Sequence, residues 1–596
     1  MAYCYRHCQS FALLAAAKFG QSDASMTDQS YRLVAGDAAV APLTPPALRL
    51  RAAGGAVPRS LYAAGLAVSA VVAIPVLVVI SNLLLPDAGA RAHILRTLLP
   101  GYVVNTALLV LGVAAITAIL GVGGAWLTAM CRFPGRRFFV WALVLPFAVP
   151  AYLMAYTYTD LLESYGPVQT ALRSATGMGF GDYWFPAVRS LEGAAIMLGF
   201  VLYPYVYLAT RAGLLGQSGT SLDVARALGA GPGRVLVRVA LPLLRPAIVA
   251  GLALALMETL ADFGTVSYFG VSTFTTGIYR AWFSYGDPVV AAQLAAGLVG
   301  IVALVLLLER LSRGGRHFST SARRQTPLPA YRLTGLRAAA AFGFCALPIL
   351  VGFLIPAGRL LYLSLTDGDA QFGSRYLELV GNTLLLGAIA APLAVLAAIL
   401  VTSLARLRST PTTRISAGIA GLGYAIPGSV IAVGILMPFA ALDGILNDLS
   451  RSLLGMPVGL VLTGGIFGLV AAYLIRFLAA AQHTLAGGFG RLSPSLDAAA
   501  RTLGVRPWSL IGRIHMPLLH PAMLAGLLIV FVDVIKELPA TLILRPFNFD
   551  TLAIQAYNLA SDERLAEAST AALTIVVVGL LPVILLTRSM AAEDLR

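Results

Sequence analysis

"ARALGAGPGRVLVRVALPLLRPAIVAG", residues 225–251, stands between two runs of membrane-grade hydrophobicity, yet carries four arginines and three prolines. So many charges and helix breakers bar it from being a continuous membrane span. The stretch has an echo, "ARTLGVRPWSLIGRIHMPLLHPAMLAG", at residues 500–526. At a constant offset of 275 the two share 13 identical positions of 27, where chance would supply about two or three. Whatever this element does, the chain needs it twice.

The 596 residues are 58% hydrophobic and 12% charged, against about 25% charged in a soluble domain, and the mean hydropathy is +0.83. That composition predicts an all-α polytopic membrane protein. The net charge of +15 does not point to nucleic acid, because the arginines fall in short clusters between apolar runs, where the positive-inside rule places them. Cys4, Cys8, Cys131 and Cys345 form no CxxC pair, so neither a zinc site nor a disulfide framework is expected. Residues 1–60 are polar and Ala/Pro-rich without a readable signal-peptide cleavage site, and are expected to form a disordered cytoplasmic tail. Met26, opening "MTDQSYRL", is a candidate alternative start.

Runs of roughly 20 apolar residues, the length that crosses about 30 Å of hydrocarbon, predict twelve spans. They lie near 61–85, 101–130, 138–161, 192–215, 243–266 and 288–308, then near 338–365, 379–404, 415–441, 457–482, 518–543 and 566–588. Arg132, Arg136 and Arg137, the arginines between spans 6 and 7, and Arg406, Arg408 and Arg414 make their loops cytoplasmic, with both termini on that side. The opposite loops hold Asp160, Glu163, Asp182, Asp443, Asp448, Asp562 and Glu563. Six spans per half keep the two halves parallel. "NTALLVLG" at Asn105 matches "NTLLLGAI" at Asn382, and "FAVPAY" around Pro150 matches "YAIPGS" around Pro427, both at an offset of 277. The chain therefore divides into a tail (1–60), a first half (61–308), an arginine-rich linker (309–337) and a second half (338–590), each half contributing a bundle.

Both copies of the opening stretch fall between the fourth and fifth spans of their half. In the first, "SLDVARALG" is expected to form a short helix with Ser221 as N-cap and Gly229 as stop, followed by a second short helix from Pro232 that Pro242 ends. Gly504, Pro507 and Pro517 repeat the scheme. An interfacial hairpin held by lipid phosphates would need charge but not fixed Gly and Pro spacing. A helix with small residues at Ala225 and Gly229, or Ala500 and Gly504, suits close docking into a protein groove.

This pattern resembles the EAA loop of ATP-binding-cassette importer permeases. The first copy supplies Asp223, Ala225, Arg226, Gly229 and Pro242, and the second Ala499, Ala500, Arg501, Gly504 and Pro517. The second copy's acid, Asp497, sits one position early. The resemblance implies the type I importer permease fold, coupling helices seated on two copies of a separate ATPase that binds ATP, and no cofactor in this chain. Consistently, neither Lys18 nor Lys536, the two lysines present, stands in a GxxxxGK[ST] loop, so the chain is not expected to hydrolyse ATP by that chemistry.

After each loop the span carries acids at matched positions, Glu258 and Asp262, then Asp533 and Glu537. A spacing of four puts each pair on one helical face. Counted from Pro246, Glu258 lies about 18 Å and Asp262 about 24 Å along the helix. Acids at that depth should face the bundle interior or water. They read either as a structural network neutralised by Lys536 or as the lining of a cation path with hard oxygen ligands; the readings are compatible, and no metal ligand set is assigned. "LADFGTVSYFGVSTFTTGIYRAWF", residues 260–283, and "KELPATLILRPFNFDTLAIQAYNLASDERLAEAS", residues 536–569, resemble the fused permease of ferric-iron importers. That resemblance implies iron as cargo, a periplasmic solute-binding protein that delivers it, and the inner membrane as location. A thiamine permease of the same layout and an ion-coupled secondary transporter are the alternatives. His515 and His520 read as interfacial, and no HExxH occurs.

Overall fold

The computed structural model describes residues 58–85, 96–215, 224–225, 227–229, 231–313, 331–366 and 373–594. Most of the tail, Asp223 and Arg226 of the first loop, and the middle of the linker lie outside them.

Eleven helices among the described residues are long and apolar enough to cross a membrane, and a twelfth crossing is a pair of helices bent by 89°. In chain order they are α1 (Arg59–Ser81), α2 (Leu99–Met130), α3 (Ala151–Leu162, the second limb of the bent pair), α4 (Leu191–Leu215), α5 (Pro232–Ala261) and α6 (Pro288–Arg313). The second set is α7 (Gly335–Thr366), α8 (Ser374–Leu407), α9 (Gly428–Leu454), α10 (Ile466–Phe489), α11 (Pro507–Ile535) and α12 (Leu565–Asp594). The expected count of twelve and the all-α class agree with this architecture.

Three expectations need correction. Spans 3 and 9 are not continuous: the chain breaks before Pro150 and Pro427, which cap α3 and α9. Val149 (ψ 114°) and Ile426 (ψ 122°) are extended, as the proline ring requires of its predecessor. The α9 helix then runs on to Leu454, where Gly455 (φ 74°) stops it, and α10 begins only at Ile466. Consequently Asp443 is not a loop residue; it is buried within α9 and accepts the backbone N–H groups of Val461, Leu462 and Thr463 at 2.9–3.1 Å. Lastly, Pro242 and Pro517 end nothing. A π-helical turn, 236–240 in α5 and 511–515 in α11, precedes each proline, and the wider i→i+5 pattern carries the helix past the residue that lacks an N–H. The second part of the opening stretch is therefore span after all.

The two sequence halves exchange their first helices. The α1 helix packs on α8 and α9 of the other half, with Ser69 Oγ donating to Ser416 O at 2.9 Å. At the crossing with α9, a methyl on Gly434 would lie 2.6 Å from Pro75 Cα, so only glycine permits this approach. On the other side α7 packs on α12 and reaches α3, where Arg359 Nε meets Asp160 Oδ2 at 2.6 Å. Near the linker, Cys131–Arg132 pairs in parallel with Tyr331–Arg332.

Candidate functional site

The repeat places two helix breaks at the centre of the molecule. The α5 helix stops at Ala261, and Asp262 turns extended (φ −67°, ψ 133°). Its carboxylate accepts the N–H groups of Thr265 and Val266, both at 3.1 Å, and the Thr265 hydroxyl at 2.9 Å, opening the short helix Gly264–Tyr268. At an offset of 275, Glu537 accepts the N–H groups of Ala540 (2.9 Å) and Thr541 (3.0 Å) and the Thr541 hydroxyl (2.6 Å), opening Pro539–Leu544. The expectation of two acids per helical face is thus wrong for Asp262 and Glu537. A carboxylate beside free N–H groups caps the next helix rather than continuing the last one.

All four acids nevertheless line one cavity of about 140 Å³ between the halves, together with Lys536. Lys536 Nζ pairs with Asp533 Oδ1 at 2.7 Å. Glu258 has a partner that sequence reasoning missed: Arg476 of α10, whose Nη2 lies 3.9 Å from Glu258 Oε2. Its signal was present, an arginine alone in the apolar run "IFGLVAAYLIRFLAAA", since a charge that deep marks a working position. Matched positions in the first half are Val201 for Arg476 and Ala261 for Lys536, so both cations of the cavity come from the second half. Among the described residues no three His, Cys, Asp or Glu side chains stand together as a metal-ion site.

Towards the end of the bundle that carries the repeated loops, Phe147, Tyr205 and Tyr424 separate this cavity from a larger one of about 600 Å³. The Tyr205 and Tyr424 hydroxyls are hydrogen-bonded across the halves at 2.9 Å, and Phe147 meets the Tyr205 ring edge-on at 4.5 Å. Towards the opposite end Phe263 stacks on Tyr279 at 3.6 Å, and the Tyr279 hydroxyl donates to the Pro539 carbonyl of the other half. Aromatic contacts thus lie on both sides of the central cavity: Phe147, Tyr205 and Tyr424 in its wall towards the larger cavity, and the Phe263–Tyr279 stack beside Pro539, bordering a separate pocket.

The second copy of the loop is the helix Pro494–Thr502, whose N-cap Ser493 accepts from Ser495 N–H. Asp497 explains its own displaced register. It is buried, accepts from Arg406 Nε at 2.6 Å, and lies 2.9 Å from His515 Nε2. Burial opposes its charge, but the hydrogen bonds from His515 and Arg406 outweigh that and hold its pKa below the ordinary carboxylate value. Arg406 also donates to the carbonyls of Phe489, Leu492 and Ser493, and Arg501 to that of Leu407 at 3.1 Å. His515 is thus fully buried rather than interfacial, whereas His520 is exposed. The first half has Ala129 and Ala240 at the places of Arg406 and His515, so it cannot build this anchor.

Ala500 faces inward and is buried, and Ala225 is half-buried, so neither is the exposed contact that its size suggested. Ala499, Leu228 and Leu503 are exposed, each leucine next to a glycine in the left-handed region, Gly229 (φ 80°) and Gly504 (φ 77°). A methyl on either glycine would meet nothing within 4 Å; the backbone angle, not space, calls for glycine.

The sequence model of the "Binding-protein-dependent transport system inner membrane component" family matches residues 121–317 and again 390–593. The Fe(3+)-transport system permease protein FbpB 2 of Haemophilus influenzae is 27% identical over 489 residues, 81% of this chain and 89% of its own. The ferric transport system permease protein FbpB of Actinobacillus pleuropneumoniae is 24% identical over 79% of this chain and 69% of its own. The molybdenum transport system permease protein ModB of Escherichia coli is 28% identical over 32% of this chain and 86% of its own.

Proposed function

The chain belongs to the family of binding-protein-dependent transport system inner membrane components, and from that premise we propose that it is the permease subunit of an ATP-binding-cassette importer for ferric iron. The observation that carries this reading is the acid-lined cavity at the junction of two pseudo-symmetric halves, flanked on both sides by aromatic contacts. Such an arrangement suits alternating access, in which one closure opens while the other holds. Iron is favoured over molybdenum because the two ferric relatives share the chain's two-half layout, aligning over about four fifths of it, whereas the molybdenum relative is a shorter protein that aligns over 86% of itself but about a third of this chain.

ATP is bound and hydrolysed by a partner. Two copies of a separate ATPase dock on the two loops, with Leu228 and Leu503 entering its clefts beside Gly229 and Gly504. Both termini and these loops are cytoplasmic, the chain is multi-pass in the inner membrane among its lipids, and a periplasmic solute-binding protein delivers iron at the opposite end. ATP binding closes the ATPase pair, the two loops transmit that movement to α5 and α11, the second through its Asp497 anchor, and the Phe263–Tyr279 contact opens to receive cargo. Hydrolysis reverses the movement and parts Tyr205 from Tyr424.

Reconstitution of the permease with its ATPase and binding protein in proteoliposomes tests the proposal. ATP-dependent uptake of radiolabelled iron, with two ATPase copies per permease, is expected. ATP-dependent uptake of molybdate or thiamine but not iron would overturn the cargo, and uptake without the ATPase would overturn the class in favour of a secondary transporter.

A further inference from the structure

The central cavity holds a guanidinium with unused donors. Arg476 is 7% exposed, and neither its Nε nor its Nη1 has a hydrogen-bond partner. Its Nη2 stands 3.9 Å from Glu258, beyond hydrogen-bond reach. The guanidinium keeps its charge and has five N–H donors and no acceptor. Burying such donors without an acceptor from the chain is costly, and the fork offers them to an acceptor that enters the cavity.

The other charges around the cavity are already engaged. Asp262 and Glu537 cap the helices that follow them, and Asp533 is paired with Lys536 at 2.7 Å. Glu258 and the Arg476 fork are the loosely matched pair that remain. A planar guanidinium fork complements the oxygens of a carboxylate, phosphate or sulfate group. The cavity as a whole, however, has four carboxylates against two cations, an excess of negative charge that repels a free anion.

We infer that Arg476 is an oxyanion subsite, and that the oxyanion it takes is a ligand on a metal ion whose positive charge faces Glu258. The inference rests on the importer reading for the presence of a metal cargo, and adds that the cargo crosses as a metal–oxyanion complex rather than as a bare ion. Val201 stands where the first half would need a second arginine, so there is one such subsite per chain.

Equilibrium dialysis of the purified full chain in detergent tests this without ATP or partners, with two probes: radiolabelled sulfate, and ferric ion held by nitrilotriacetate. The wild-type chain is expected to retain the ferric complex more tightly than sulfate. Arg476→Gln should weaken both by about tenfold or more, the scale of a lost charged hydrogen bond, and Arg476→Lys should restore part of it. Glu258→Gln should move the probes in opposite directions, strengthening sulfate and weakening the ferric complex, which a merely structural role for Arg476 would not produce. That opposite shift stands as the test even if Arg476→Gln fails to fold. Retention of both probes by Arg476→Gln, a shift of both probes in the same direction in Glu258→Gln, tighter binding of sulfate than of the ferric complex, or no binding of either probe by the wild type would overturn it. Oxyanion binding without ATP-driven iron uptake would instead leave the subsite standing and sink the importer reading.

Discussion

Replacing Asp497 by alanine should detach the second loop from the membrane bundle. The carboxylate accepts from Arg406 at 2.6 Å and meets His515 at 2.9 Å, and His515 is fully buried. Its removal leaves a buried imidazole and one guanidinium nitrogen without their acceptor. Breaking a buried ion pair costs roughly 3 to 5 kcal/mol. Arg406 keeps three carbonyl acceptors, so the loss should be smaller, about 2 to 3 kcal/mol, the scale of one charge-assisted hydrogen bond. Asp497→Asn keeps the shape and one acceptor oxygen, and should cost about 1 kcal/mol. The sign of the pH dependence follows from the depressed pKa. The anchor's contribution is full above the ordinary aspartate value of about 3.9 and is lost as pH falls through the lower value of the folded state. Between pH 5 and 8, therefore, Asp497 itself adds no pH dependence. Thermal unfolding in detergent, read beside the ATPase rate of the reconstituted complex, should give wild type above Asn above Ala in stability, and a larger loss of iron uptake than of ATP hydrolysis in Asp497→Ala. Equal stability of the three proteins, or tight coupling retained in Asp497→Ala, would refute the anchor.

Leu228→Glu and Leu503→Glu alter exposed side chains, so each should change stability by no more than about 0.5 kcal/mol while reducing co-purification of the ATPase; intact co-purification would remove these leucines from the interface. Tyr205→Phe with Tyr424→Phe removes the hydroxyl contact across the halves, worth about 1 kcal/mol, and should raise passive ion leak in proteoliposomes roughly fivefold, whereas an unchanged leak would place the barrier elsewhere. Glu258→Gln at normal expression should lower iron uptake without changing the unfolding temperature by more than a few degrees; uptake at the wild-type rate would remove Glu258 from the path. Gly504→Ala forces a left-handed backbone on a residue with a Cβ, costing about 1 to 2 kcal/mol, and should mimic a weaker Asp497→Ala in the same coupling assay.

Composition, hydropathy and the 275-residue echo were enough to establish an all-α membrane protein, its duplication, the number of crossings and the loops that repeat, because each of these follows from local chain chemistry. Apolar length specifies a span, and Gly504 specifies where the second loop helix stops, although Pro242 and Pro517 end no helix. The four acids were legible for the same reason, as charges where lipid tolerates none. What each charge does was decided only by packing. Asp262 and Glu537 share a spacing with Glu258 and Asp533 that reads as one helical face, yet the helix ends first, because free N–H groups beyond the break compete for their carboxylates. Asp497 looked misplaced in its motif until Arg406 and His515, 91 and 18 residues away, supplied the partners that explain it. Arg476 of the second half meets Glu258 of the first, and α1 of the first half packs on α8 and α9 of the second. Contacts between separate elements carry no periodic trace in the chain, and so the anchor, the aromatic contacts and the Arg476 fork belong to the tertiary structure alone.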